Sequence, residues 1–255
     1  MKAIIVIPTY NEADNIVSLV TTIFRIQPDI HILVVDDNSP DGTGDVASSI
    51  AERRPGLQVI RRAAKTGLGD AYIEGFRFVL ASGAEFIVTM DSDLSHSPET
   101  IPTMFAAIGD AGCVVGSRYV EGGQIENWTV DRRILSWTAN RFVSLLFGMP
   151  VSDCTSGFRL YRREVIESML EHKTISQGYS FMVEALTIAA KGNYRIVEVP
   201  IRFAERATGQ SKMGMHEVLG GARSLLSLRF SRNGGRMRLN TKTTDENETL
   251  GSDPS

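Results

Sequence analysis

Five short apolar runs, "AIIVI" (3–7), "IHILVV" (30–35), "LQVI" (57–60), "EFIVTM" (85–90) and "GCVVGS" (112–117), alternate with longer amphipathic stretches. This alternation constrains the fold more than any other feature. A parallel strand cannot be reached by a tight turn and needs a crossover, which an amphipathic helix supplies. The pattern therefore reads as βαβ units around a parallel sheet. The expectation is a single α/β domain, with a mostly parallel central sheet flanked by helices, over residues 1–232.

The intervening helices carry start and stop signals. "DGTGDVASSIAERRPG" opens on turn residues and closes at Pro55-Gly56, and "GLGDAYIEGFRFVLASG" closes at Gly83. "HSPETIPTMFAAIG" offers Ser97 as N-cap and Pro98 at the first helical position. Beyond it, "RRILSWTANRFVSLLFG" reads as a helix apolar on most sides, and "YSFMVEALTIAAKG" as another ending at Gly192. "YRIVEVPIRF" reads as a strand that Pro200 confines to a sheet edge. Residues 233–255 have no apolar periodicity and are expected to form a disordered polar tail.

With 42% hydrophobic residues and a net charge of −3, the chain can bury a core and offers no overall basic surface for nucleic acid. The two cysteines, Cys113 and Cys154, match no metal spacing and read as free thiols in a reducing compartment. "AIIVI" runs into Pro8 and "TYNE" too soon for a signal peptide, and no apolar stretch approaches the roughly 18 residues that span a bilayer. A membrane role is then peripheral. Arg223, Arg229, Arg232, Arg236 and Arg238 cluster late and suit either phosphates or a solvated helix face.

In open parallel sheets ligands bind beyond the carboxyl ends of the strands. Three of those ends carry chemistry: "PTYNE", "DDNSPDG" and "DSDLSH". Asp91 and Asp93 lie on one side if the strand continues through them, and two like charges so close call for a cation. Magnesium or manganese is held by such a pair together with substrate phosphates and water. Asp36 and Asp37 suit ribose hydroxyls or a base, Tyr10 can stack on a base, and Glu12 can accept from a base N–H. No G-x-G-x-x-G follows the first strand and no P-loop occurs, which argues against a dinucleotide-dependent dehydrogenase and a P-loop NTPase. None of the four histidines sits in a base motif, and His96 reads as a helix-start residue.

"IPTYNE", "VVDDNSPDGT", "MDSDLSH", "GSRYVEGG" and "PIRFAERATGQSKM", in that order over residues 3–230, resemble the family 2 nucleotide-sugar glycosyltransferases of the GT-A (Rossmann-like) fold. Within them the resemblance is to polyprenyl (dolichyl) phosphate mannose synthases, and "NWTVDRRILSWTAN" with "DCTSGFRLYRREV" is most similar to actinobacterial members. The resemblance implies GDP-mannose as donor, with Pro8, Tyr10, Glu12, Val35 and Asp37 at the nucleoside. It implies Asp91, Ser92, Asp93 and Ser95 around the diphosphate and its Mg2+ or Mn2+. Asp91, Asp93 and Ser95 would be the ligands, and Ser95 stands where many relatives carry glutamine, so water can replace the longer side chain. Arg118, Arg206 and Lys212 are expected at the phosphates, with Asp93 and Arg118 the residues on which catalysis depends. Arg132 and Ser136 are expected near the acceptor phosphate.

The reaction implied is inverting attack of a polyprenyl phosphate oxygen on the anomeric carbon, and an anionic nucleophile needs no general base. The expected setting is peripheral, on the cytoplasmic face of the membrane. The helix at 132–148 and the segment "HEVLGGARSLLSLRF" are candidates to rest on the bilayer or to pack in the core, and a separate membrane protein can serve as anchor. The same fold with UDP-glucose or another nucleotide sugar is the nearest alternative. A transferase acting on a hydroxyl would need a dedicated base, and the absence of Q-x-x-R-W counts against a processive polysaccharide synthase. A non-catalytic receiver-like or nucleotide-binding regulatory module would leave "GSRYVEGG" and "ERATGQSKM" unexplained.

Overall fold

A computed structural model describes residues 2–172 and 179–204. Arg206, Lys212, the late arginines, the segment 216–230 and the expected tail at 233–255 lie outside the described residues.

The apolar runs become β1 (Ala3–Thr9), β2 (His31–Asp36), β3 (Leu57–Arg61), β4 (Phe86–Thr89) and β5 (Cys113–Ser117). The stretches between them become α1 (Ala13–Ile26), α2 (Thr43–Ala51), α3 (Leu68–Ala81) and α4 (Ile101–Ala107). Beyond β5 come β6 (Gln124–Ile125), α5 (Val130–Phe147), β7 (Arg159–Arg162), α6 (Arg163–Glu171), α7 (Tyr179–Lys191), β8 (Ile196–Pro200) and β9 (Arg202–Phe203). Seven strands form one sheet in the order β3-β2-β1-β4-β7-β5-β8, and β6 pairs with β9 in a small second sheet.

Every pairing in the large sheet is parallel except those of β7, which runs antiparallel between β4 and β5. The expected mostly parallel sheet is present. β8 pairs only with β5 and closes on Pro200, so the proline sits on an edge where its missing N–H removes no ladder bond. One hydrophobic cluster joins α3, α6 and α7 on one face of the sheet, and a second joins α1 and α4 on the other. Both thiols are buried and free, and burial pushes each up to about 12, which keeps them neutral and unreactive.

Three local expectations differ from the structure. Pro8 does not end β1, which continues through Thr9. β4 pairs with β1 only as far as Val6, and the carbonyl of Thr9 faces β2, so Pro8 faces the side where β1 has lost its neighbour. Ser97 makes no side-chain cap: a 3-10 turn over Pro98–Thr100 precedes α4, and the Thr100 N–H bonds to the Ser97 carbonyl instead. His96 is not at a helix start but forms an antiparallel bridge with Phe203.

Candidate active site

Strand order reverses at β1, whose neighbours are β2 on one side and β4 on the other. That reversal leaves a crevice between the loops leaving β1 and β4. The three chemically loaded strand ends therefore converge there.

The acid pair is presented differently from the simplest expectation. β4 stops at Thr89, and the chain turns through residues 91–94 with Leu94 in the left-handed region at φ 62°. Strand alternation therefore does not set the placement of Asp91 and Asp93. Asp93 is buried, and its Oδ1 accepts hydrogen bonds from the Ser95 backbone N–H at 3.0 Å and the Ser95 hydroxyl at 2.6 Å. Ser95 thus orients Asp93. The Asp91 side chain is 37% exposed. Ser92 is buried between them. Among the described residues no set of three His, Cys, Asp or Glu side chains is arranged to hold an ion. Two hard carboxylates fit Mg2+ or Mn2+.

Opposite, at β1 and β2, the crevice is walled by ion pairs. Asp37 pairs with Arg62, which also binds Glu74 at 2.9 Å and the Thr66 hydroxyl at 2.7 Å. The Lys65 ammonium lies 3.7 Å from the centroid of Tyr10, a cation–π contact. Glu12 accepts from the Asn15 amide at 2.8 Å, and its own backbone N–H donates to the Thr43 hydroxyl. Asp36 serves the fold, accepting from Thr9, from the Ser39 hydroxyl and from the Ser39 backbone N–H. Val35 is fully buried in the α3-side core. Arg62 and Lys65 escaped the sequence reading although "RRAAKTG" follows a strand, the same signal that marked the other loops.

On the far side of the acid pair, Arg118 follows β5 but does not project freely. Its Nε and one terminal nitrogen each lie 2.7 Å from the two carboxylate oxygens of Asp153, and it also donates to the Thr155 hydroxyl at 2.8 Å. The rings of Tyr119, Trp128 and Phe203 stand 5.2 to 5.8 Å from its guanidinium carbon. Burial works to raise the Asp153 carboxyl, but Arg118 beside it prevails and holds it below the usual carboxylate range. Arg118 thus anchors the corner and does not stand as a free phosphate clamp. Gly123 makes the fold-back over it feasible, since a Cβ there would lie 2.6 Å from the Arg118 carbonyl oxygen.

The loop 152–157 that supplies Asp153 is held from two elements. Glu198 of β8 accepts from the backbone N–H groups of Ser152 and Asp153, and Asn140 of α5 accepts from those of Cys154 and Thr155. At the far end of the loop, a Cβ on Gly157 would lie 3.1 Å from Asp91 Oδ1, so a larger residue there would require the carboxylate to shift. Beneath it, buried Arg159 donates to the carbonyls of Cys154 and Met182 and to the Tyr161 hydroxyl. Asp153, Asn140, Glu198 and Arg159 had no local sequence signal, because their partners lie far along the chain.

Arg118 and Tyr119 also line a cavity of about 320 Å³ with Gly123, Ile125, Arg133, Ile134 and Trp137. Of the two expected acceptor residues, Ser136 accepts a 2.7 Å hydrogen bond from the Tyr119 hydroxyl, and Arg132 stacks 4.1 Å from the Trp128 centroid. Arg133 joins Arg118 at the cavity itself. The structure joins Asp93 with Ser95 and sets Asp91 beside His96 at one end, and brings Arg118, Tyr119 and Ser136 together at the other. Phe203 and His96 pack between the two ends.

A doubly wound sheet with an acid pair at its switch point and a second, arginine-lined cavity beside it has the layout of a GT-A glycosyltransferase. The sequence matches the family described as Glycosyl transferase family 2 over residues 4–170, and the chain belongs to that family. It is 43% identical over 216 residues to the undecaprenyl-phosphate mannosyltransferase of Micrococcus luteus, covering 84% of this chain and 88% of that protein. It is 43% identical over 215 residues to the polyprenol monophosphomannose synthase of Mycolicibacterium smegmatis, covering 83% of this chain and 81% of that one. The resemblance to actinobacterial polyprenyl phosphate mannose synthases is thereby borne out.

Among solved structures, the chain matches glucosyl-3-phosphoglycerate synthase from Mycobacterium tuberculosis, in complex with Mn2+, UDP and phosphoglyceric acid. The TM-score is 0.64 at 20% identity, over 89% of this chain and 78% of that one. It also matches a mannosyltransferase from Pyrobaculum calidifontis in complex with GDP-Man and Mn2+, at TM-score 0.59 and 20% identity, over 90% and 63% of the two chains. At that identity the likeness speaks for the fold. Family membership makes the chain an enzyme and removes the receiver-like alternative.

Proposed function

We propose that this enzyme transfers mannose from GDP-mannose to a polyprenyl monophosphate with inversion, releasing GDP and polyprenyl phosphate mannose. The observation that carries the reading is the arginine-lined cavity at the foot of α5, a helix that leaves six large apolar side chains exposed while Val143 and Phe147 pack on the core. Its buried residues are the polar Asn140 and Ser144, whereas Val130, Ile134, Leu135, Trp137, Phe142 and Leu145 are exposed. At about 100° per residue the six fall within an arc of about 160°, with Asn140 and Ser144 just beyond its Trp137 edge. An anion site beside such a surface suits an acceptor with a phosphate head and a hydrocarbon tail. The names of the two actinobacterial relatives support the same substrates.

In this reading Pro8, Tyr10, Glu12 and Asp37 hold the nucleoside, Asp91 and Asp93 hold Mg2+ or Mn2+, and Arg132 and Ser136 meet the acceptor phosphate. The cation supplies charge neutralisation for the departing diphosphate. Arg206 and Lys212 share that task. They follow closely on Ala204, whose N–H bonds to the Ser95 carbonyl at 3.1 Å. The acceptor oxygen is already anionic, so the side chains around it orient it and exclude water and need not remove a proton. Incubation with labelled GDP-mannose, polyprenyl phosphate and Mg2+ or Mn2+, followed by organic extraction, tests the reading. Label is expected in the solvent phase, and label that stays in water refutes it. Competition between GDP and UDP separates the mannose donor from UDP-glucose, with GDP expected to bind more tightly.

No described helix is long and apolar enough to cross a membrane. α5 is proposed to rest on the cytoplasmic face, its apolar face in the interface and Arg132, Arg133 and Arg141 near anionic headgroups. Full burial of a Leu or Phe side chain is worth roughly 1.5–3 kcal/mol. Leu135→Glu combined with Phe142→Glu is therefore expected to lower binding to anionic liposomes by about a hundredfold at low salt. Both side chains are exposed, so the melting temperature should hold. Undiminished liposome binding by the double variant would remove α5 from the contact.

A further inference from the structure

Outside the groups already assigned, a buried polar atom without a hydrogen-bond partner lies close to the acid pair. The His96 side chain is 2% exposed, and its Nδ1 has no hydrogen-bond partner. That atom lies 3.8 Å from Asp91 Oδ2. The gap is too long for a hydrogen bond and short enough for a carboxylate rotation to close it. A buried nitrogen left unpaired is uncommon in a folded protein and calls for a reason.

The ring is held firmly in that orientation. Phe158 stacks on it with centroids 5.3 Å apart and planes at 24°, and Phe203 meets it edge-on at 5.5 Å. Its backbone is bridged to Phe203, and the neighbouring Ser95 carbonyl accepts from Ala204. Leu94 at φ 62° turns the chain so that His96 comes back beside Asp91. An aliphatic residue in that region is strained, and such strain collects where a loop must hold a functional geometry. Asp91, by contrast, is part-exposed.

We infer that His96 is a positioning residue for Asp91: its Nδ1–H closes onto Oδ2 and sets the carboxylate in the orientation that receives the divalent ion. It acts through Asp91 and touches neither ion nor substrate. Partners of this kind orient metal-binding carboxylates, and their loss typically lowers metal affinity about 10- to 100-fold. The inference rests on the metal reading of Asp91 and Asp93.

The test is Mn2+ titration of the full chain with GDP present, reading free Mn2+ by electron paramagnetic resonance. His96→Phe keeps a ring between Phe158 and Phe203 but lacks the donor, and is expected to bind Mn2+ about 10- to 100-fold more weakly. His96→Asn places an amide N–H near the Nδ1 position and is expected to restore affinity to within about threefold of the wild type. In wild-type protein with 15N-labelled histidine, the GDP–Mg2+ complex should show His96 Nδ1 bearing hydrogen, a readout independent of how the variants fold. Wild-type Mn2+ affinity in His96→Phe, or a bare Nδ1 in the complex, overturns the inference while leaving the metal site intact. If Asp93→Asn binds Mn2+ as tightly as the wild type, the metal reading fails and the inference fails with it.

Discussion

Asp93→Asn should reduce mannosyl transfer by about two to three orders of magnitude and leave the fold intact. Losing one preorganised group that answers developing charge costs about 3–4 kcal/mol in the transition state. Asn retains an oxygen for the Ser95 N–H and hydroxyl, so the turn through residues 91–95 keeps its hydrogen bonds. What it loses is the negative charge. The check is initial rate by organic extraction across a range of Mg2+ or Mn2+ concentrations, beside a thermal melt. Turnover at the wild-type rate would remove Asp93 from the chemistry, and a melt lowered by many degrees would assign it to the fold instead.

The second large effect is on stability. Asp153→Ala should destabilise the protein by about 3–5 kcal/mol, because it leaves Arg118 buried and unpaired. The Arg118 side chain is 8% exposed and that of Asp153 is 0% exposed, so water cannot replace the lost carboxylate. Adding Arg118→Met should recover much of the loss, since a well-packed apolar pair is often as stable as a buried ion pair. Urea unfolding of the wild type, the single variant and the double variant measures both. A single variant as stable as the wild type would mean that the pair is not buried in solution. The sign of the pH dependence follows from Asp153, whose folded carboxyl lies below its ordinary 3.8. Its stabilising contribution is complete above that value and is lost as pH falls through the lower folded value. Asp153→Ala should flatten the acid side of the stability profile.

What could be read in advance follows from how local each signal is. The five apolar runs fall on β1 to β5 to within a residue or two, because an apolar run bounded by turn residues reports a strand through its own composition. "PTYNE", "DDNSPDG" and "DSDLSH" converge because βαβ handedness and strand order send all parallel strand ends to one edge. Pro200 on an edge is similarly local, since its backbone cannot donate.

The rest required contacts between distant segments. β7 enters antiparallel between β4 and β5 as four residues, "RLYR", with too little periodicity to declare a strand or its direction. Val35 looked like a strand-end neighbour of Asp37, yet the packing of α3 buries it completely. Arg118 looked like a free phosphate ligand. Its partner, Asp153, lies 35 residues away on a loop pinned by Asn140 and Glu198. α5 reads as apolar on most sides, and only its docking through Asn140, Val143, Ser144 and Phe147 decides which apolar side chains stay exposed.

By itself the amino-acid order determined the strands, the parallel sheet, the three loaded loops and the family, since each depends on residues near one another along the chain. Tertiary structure alone decided which charges are already neutralised within the protein and which remain open to a ligand. Burial and pairing are properties of segments brought together from far apart, and they, more than residue type, determine the free energy of a charge.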